Sequence, residues 1–204
     1  MNYSICVSGA AGGKTVEQSR AAAEKLGEVI AKSGHTITTG ATIGLPFYAA
    51  RAAHELGGMS IGFSPASSLR EHIHKYRLPI GVFDFVNFTG FNYVGRDVYL
   101  VQSSDAVITI GGRFGSLHEF TTALECNTLC GILIGSGGTA DAIPELLDKL
   151  EAPHKNMIIM DDDPERLVKR IIERLDEEYK DIDTKALIHH WYMENPEVNI
   201  GRKG

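Results

Sequence analysis

Cysteine, tryptophan and basic clusters are scarce in this chain of 204 residues, which has three cysteines, one tryptophan, and 20 Lys and Arg against 26 Asp and Glu. The formal charge of −6 contains no basic block. That disfavours an extended nucleic-acid surface while leaving room for a local pocket around one phosphate. Nothing approaches the roughly 20 uninterrupted apolar residues that span a bilayer, and no charged segment with an apolar signal core precedes the first apolar run. No membrane partner and a cytoplasmic location are therefore expected. Cys6 lies in that first run, and Cys126 and Cys130 stand four apart without the second pair that a structural zinc site needs. The cysteines read as free thiols, and no metal site is expected. With 43% apolar residues the chain can bury one substantial core.

Apolar runs alternate with amphipathic ones, the pattern of a parallel sheet covered by helices on both faces. The expected strands are residues 3–8, 35–39, 59–63, 81–86, 106–110, 131–134 and 157–160. Helical periodicity covers residues 16–32, 46–56, 93–103, 117–129, 140–150 and 164–178. The reading is a single α/β domain, doubly wound, over residues 1–180, with a C-terminal extension at 181–204. That extension carries His189, His190, Trp191 and Tyr192 and reads as a packed tail or oligomer contact. Residues 64–79 lack clean periodicity and read as a long loop with a short helix at most; their His72 and His74 are better explained by a solvated loop than by a metal.

In a doubly wound sheet, ligands sit outside the carboxyl ends of the strands. Three glycine-rich turns fall there: one from Ser8 and Gly9 onward, one from Gly40 to Gly44, and one from Gly111 to Gly115. The first ends in Gly13-Lys14-Thr15 but lacks the glycine spacing of a triphosphate-binding loop. The third is the most informative, because a buried strand empties through Gly112, Arg113, Phe114 and Gly115 into a helix opening with Ser116. Glycines let backbone amides approach an anion, and the helix N-terminus adds partial positive charge. Ser116-Leu-His-Glu119 also fits a capping box, which by itself would explain both end residues. His118 reads as a solvated helix residue. In a fourth turn, Gly135 to Thr139, Thr139 is expected to cap the next helix.

Arg96 precedes the third turn in Asn92-Tyr-Val-Gly-Arg96-Asp97. Together these motifs resemble the Lonely Guy group of Rossmann-like phosphoribohydrolases, often called lysine decarboxylases, within the SLOG superfamily. The resemblance rests on an arginine followed at fixed distance by a P-G-G-x-G-T-x-x-E run, and on an earlier glycine turn echoed by Thr39 to Leu45. The chain departs from the pattern at Asp97 (lysine), Gly111 (proline), Arg113 (glycine) and Ser116 (threonine).

The resemblance implies hydrolysis of the N-glycosidic bond of a nucleoside 5′-monophosphate to free base and ribose 5-phosphate, with no cofactor. It implies Arg96 and Glu119 as catalytic residues. Ser8, Gly9, Gly40, Gly44, Gly112, Arg113, Phe114, Gly115 and Ser116 would hold the ligand and its phosphate. Relatives of this kind are commonly homodimers, with the helix at 93–103 as a seam. The alternative is a non-catalytic carrier of a nucleotide or a phosphorylated cofactor resembling the molybdenum cofactor; Asp97 and Arg113, which change the charge beside the site, favour it.

Overall fold

The computed structural model describes residues 1–151 and 155–182. Strands β1 (Ser4–Gly9), β2 (Thr36–Thr39), β3 (Ser60–Ser64), β4 (Phe85–Phe88), β5 (Ala106–Ile110), β6 (Leu129–Leu133) and β7 (Ile158–Asp161) alternate with helices. The helices are α1 (Lys14–Lys32), α2 (Leu45–Glu55), α3 (Leu69–His74), α4 (Asn92–Gln102), α5 (Phe114–Glu125), α6 (Gly138–Lys149) and α7 (Pro164–Tyr179). The strands form one sheet in the order β4-β3-β2-β1-β5-β6-β7, every pair parallel. The expected Rossmann-like α/β architecture is present.

Strand direction across the sheet explains where a ligand can sit. The chain winds outward from β1 to β4, then crosses back to place β5 on the other side of β1, so the connections leaving β1 and β5 part in opposite directions. A crevice opens at that switch point, above Gly9 and Ile110, which are register partners. Below it, β5 and β6 are buried along their whole length, as strands covered on both faces must be. On one face Cys6, Val107 and Cys130 pack with Leu100 of α4, Phe120 of α5 and Ile143 of α6. On the other, α1 and α2 lie close enough that a Cβ on Gly27 would strike the backbone of Ala49.

The chain divides into two compact units, Met1–Ile172 and Glu173–Gly204. The first holds the sheet and α1 to α6; of the second, residues 173–182 are described, the C-terminal part of α7 and the residues after it. The tail with His189, His190, Trp191 and Tyr192 lies outside the described residues.

Several boundaries differ from the sequence reading for local reasons. Strand β4 begins at Phe85, not at residue 81, because Phe83 N donates to Ile80 O and residues 81–84 turn before pairing starts at Ile61 and Phe85. Leu129, read as a helix end, begins β6: Asn127 adopts φ 56° and Thr128 N returns to Ala123 O, which stops α5 earlier. Residues 64–79 contain α3, capped by Ser68, whose hydroxyl accepts from Glu71 N, while Glu71 accepts from Ser67 N and Oγ. His72 there is fully buried, hydrogen-bonded to Ser64 Oγ at 2.8 Å and to Pro79 O at 3.0 Å, so it is a core histidine and not a solvated one.

Candidate functional site

Among the helices that begin at the carboxyl edge of the sheet without a side-chain cap are α1 after Gly13, α2 after Gly44 and α5 after Arg113. Their first-turn amides lack intrahelical acceptors, so partial positive charge gathers over the switch point. A cavity of about 220 Å³ opens there, lined in part by Gly9, Gly40, Arg96, Arg113, Ser116 and Glu119. Five further residues of its wall, Ala10, Thr42, Tyr93, Asp97 and Gly115, come from the same turns and from α4.

The capping box that Ser116 and Glu119 also fit does not form. Helix α5 starts two residues earlier, at Phe114, with Arg113 as an extended N-cap. Ser116 thus lies inside the first turn, and Gly112, at φ 98°, has no room for a Cβ because Ser116 would meet it. Glu119, freed from capping, turns toward the sheet and accepts a hydrogen bond from Ser8 Oγ. Arg113 is exposed at the mouth, its carbonyl held by Thr139 Oγ1 at 2.8 Å. Phe114 is 88% exposed and does not line the cavity. Gly44 does not line the cavity either; it lies against the backbone of Ala10 and Ala11 and shapes the start of α2 at φ 80°.

The fourth glycine turn buttresses this cradle. Ser136 Oγ accepts from Gly111 N at 2.8 Å, and Thr139 N and Ala140 N donate to Gly112 O and Gly111 O. Thr139 is not the cap of α6, which is preceded by Gly137; Asp141 instead reaches back to accept from Gly135 N at 2.6 Å and Gly137 N at 3.0 Å.

Arg96 is buried, not a surface cation at a helix start. Its Nε donates to Asp97 Oδ1 at 3.0 Å, and its Nη1 donates to Phe63 O at 2.9 Å and to Gly40 O. Gly40 is required by this geometry, since a Cβ there would occupy the space of the guanidinium. The bonds use Nε and Nη1 and leave Nη2 for other partners. Asp97, seen in the sequence only as a departure, is 5% exposed, and its Oδ2 stands 2.9 Å from His118 Nδ1. His118 is correspondingly not a free solvated side chain.

The electrostatic centre is Glu119. Burial pushes its carboxyl up to about 7; the Arg96 guanidinium opposes that, and Asp97 adds to it both by its charge and as a hydrogen-bonding partner. Cys6 lies beneath on β1, its thiol raised well above the ordinary range by burial and by the charge of Glu119. A carboxyl poised near neutrality in a cleft, with defined charge partners, is an arrangement that clusters at functional sites. Among the described residues no group of His, Cys, Asp or Glu is arranged to hold a metal ion, and no helix is long and apolar enough to cross a membrane.

Asp97 and His118 were the residues that sequence reasoning passed over. The available signal was a charged residue next to Arg96 and a histidine next to Glu119; only the packing of α4 against α5 makes them a pair.

Solved structures of similar fold include a molybdenum cofactor binding protein from Rippkaea orientalis, with TM-score 0.70 and 23% identity, covering 86% of this chain and 98% of that one. They also include DNA processing protein A from Helicobacter pylori, described for its single-stranded DNA binding mode, with TM-score 0.60 and 18% identity, covering 84% and 81%. At these identities the likeness establishes the fold alone. An uncharacterized protein of Archaeoglobus fulgidus is 30% identical over 113 residues, 55% of this chain and 69% of that protein. Residues 2–168, which contain every element of the cavity, match the SLOG cluster4 family, and the chain belongs to that family.

Proposed function

We propose that the protein hydrolyses the N-glycosidic bond of a nucleoside 5′-monophosphate, releasing the base and ribose 5-phosphate. The observation that carries this reading is Glu119, a buried carboxyl held near neutrality on the floor of a cavity rimmed by uncapped helix N-termini. The phosphate would sit at the first turn of α5, taking the amides of Gly115 and Ser116 and the side chain of Arg113. The sugar would then lie toward Glu119. As the C1′–N bond breaks, positive charge grows on the ribose, and a carboxylate stabilises it and accepts a proton from the attacking water. Arg96, committed to Gly40, Phe63 and Asp97, positions the floor and offers Nη2 toward the ligand.

A binding protein without turnover is the second reading, and one observation favours it. The guanidinium of Arg96 is largely satisfied by the protein itself, which reduces what it contributes to a transition state. The relatives of the same fold are described as binding a molybdenum cofactor or single-stranded DNA. Incubation of purified protein with a panel of nucleoside monophosphates, assayed for free base and ribose 5-phosphate, separates the readings. Release of both products supports hydrolysis; calorimetric binding of the same ligands without release supports a carrier.

The working form is a homodimer through α4. Both charged residues of that helix are buried, so its outer face presents Tyr93, Val94, Val98 and Tyr99 beside Phe91 with no charge among them. Val94 is 69% exposed, an unfavourable position for a branched apolar side chain without a partner. Val94→Glu should convert a dimer to a monomer in light scattering without lowering the melting temperature of the monomer. A wild type that is monomeric at high concentration would refute the seam.

A further inference from the structure

We propose that Asp97 and His118 form a proton path joining Glu119 on the cavity floor to solvent, an inference that rests on the hydrolytic reading of the site. A ligand filling the cavity covers the open side of Glu119, so a proton gained from the attacking water must leave by another route. The structure provides one. Asp97 is as buried as Glu119, with its side chain 7% exposed, whereas His118 is 39% exposed, and Asp97 Oδ2 and His118 Nδ1 are 2.9 Å apart, so the step from Asp97 to His118 leads from the buried floor to water. Arg96 Nε occupies Asp97 Oδ1 and thereby reserves Oδ2 for the histidine. Asp97 also acts as the hydrogen-bonding partner of the protonated Glu119 carboxyl.

The groups facing Glu119 from the elements packed around it are Ser8 and Cys6 on β1, and Arg96 and Asp97 on α4. Ser8 donates into the carboxylate and Cys6 is a buried thiol held neutral, so neither leads to water. Asp97 is the group that connects onward.

In the hydrolytic step the water oxygen bonds to C1′, the electron pair of the C1′–N bond leaves with the base, and the base takes its proton from solvent. The proton lost by the attacking water binds Glu119, passes to Asp97, and is accepted by His118 Nδ1 while Nε2 releases one to solvent. Glu119 and Asp97 are again carboxylates, and His118, which began with its proton on Nε2 and ends with it on Nδ1, returns to the first tautomer by exchanging protons with solvent before the next turnover. Asp97 and His118 are positioning and transfer residues that need no contact with the ligand.

The test uses the full chain. His118→Ala, a substitution at a half-exposed position, should lower kcat at least about 10-fold with KM and melting temperature little changed, and imidazole in the buffer should restore turnover. In ¹⁵N-histidine spectra of the wild type, the His118 ring resonance should show an inflection where Glu119 titrates, and Glu119→Gln should remove that inflection. Unchanged turnover in His118→Ala, or a loss that imidazole does not restore, overturns the path. So does a His118 resonance indifferent to Glu119→Gln. If the wild type cleaves no nucleotide, the hydrolytic reading fails, and the resonance measurement then decides by itself whether the three groups are coupled.

Discussion

Glu119→Gln should lower kcat for nucleoside monophosphate cleavage by about 10²–10⁴-fold while ligand affinity stays within a few-fold, because the amide keeps the shape of the side chain but can neither take a proton nor offer negative charge. The glutamine oxygen can still accept from Ser8 Oγ, and its amide can donate to Asp97, so the surrounding network has no reason to collapse. In the wild type, kcat/KM should rise with pH through about 7 as the carboxylate forms. Stability should move the other way. The folded-state value lies above the ordinary 4.5, so the stability contributed by this group is fully present below pH 4.5 and is lost as pH rises to about 7. Over that interval the loss is on the order of 3 kcal/mol. The amide does not titrate, so the Glu119→Gln variant should gain stability relative to the wild type between mildly acidic and mildly alkaline pH. Denaturant melts at the two extremes measure it; parallel pH profiles would show that Glu119 is not buried against its neighbours as described.

Arg96→Ala should cost about 3–5 kcal/mol of folding stability, the usual penalty for leaving one member of a buried pair without its partner. For a chain of this size that corresponds to a drop of roughly 10 °C in melting temperature. The loss has three parts: Asp97 Oδ1 loses its cation, and the carbonyls of Gly40 and Phe63 lose their shared donor. Arg96→Lys should recover only a fraction, since a point charge cannot reach all three acceptors from one fork. Gly40→Ala should mimic the defect from the other side by displacing the guanidinium. A thermal melt of Arg96→Ala within a degree or two of the wild type would mean that the arginine is free to serve the ligand and is not the keystone of the floor.

The alternation of apolar and amphipathic runs was sufficient to read the seven strands and all the longer helices, because a strand covered on both faces must be continuously apolar and a covering helix must be so along one stripe. The short α3 escaped that logic: six residues are too few to show a period, and its start is marked only by Ser68 and Glu71. Helix α5 was misplaced at both ends. Its opening carries no capping side chain, and its end is set by the left-handed backbone of Asn127, a conformation that sequence hydrophobicity does not report.

The glycine turns, Arg96 and Glu119 were legible as a group because each has a chemical reason to lie at a strand end or helix start. Their roles were not, since a role depends on which groups meet across the sheet. Local sequence allowed Glu119 to be a cap of its own helix, Arg96 a solvated partner of its neighbour, and His118 a surface residue. Residues 96, 97, 118 and 119 come from two helices, and Ser8, Gly40 and Phe63 from three strands or their ends. Their meeting is fixed by the crossing from β4 back to β5 and by the packing of α4 against α5. The sequence by itself determined the fold, through periodicity, and the gathering of the glycine turns at the carboxyl edge of the sheet, through glycine placement. The tertiary structure decided which charges are buried together, and burial is what raises Glu119, locks Arg96 and turns Asp97 and His118 into partners, because the cost of a charge depends on its distance from water and not on its place in the chain.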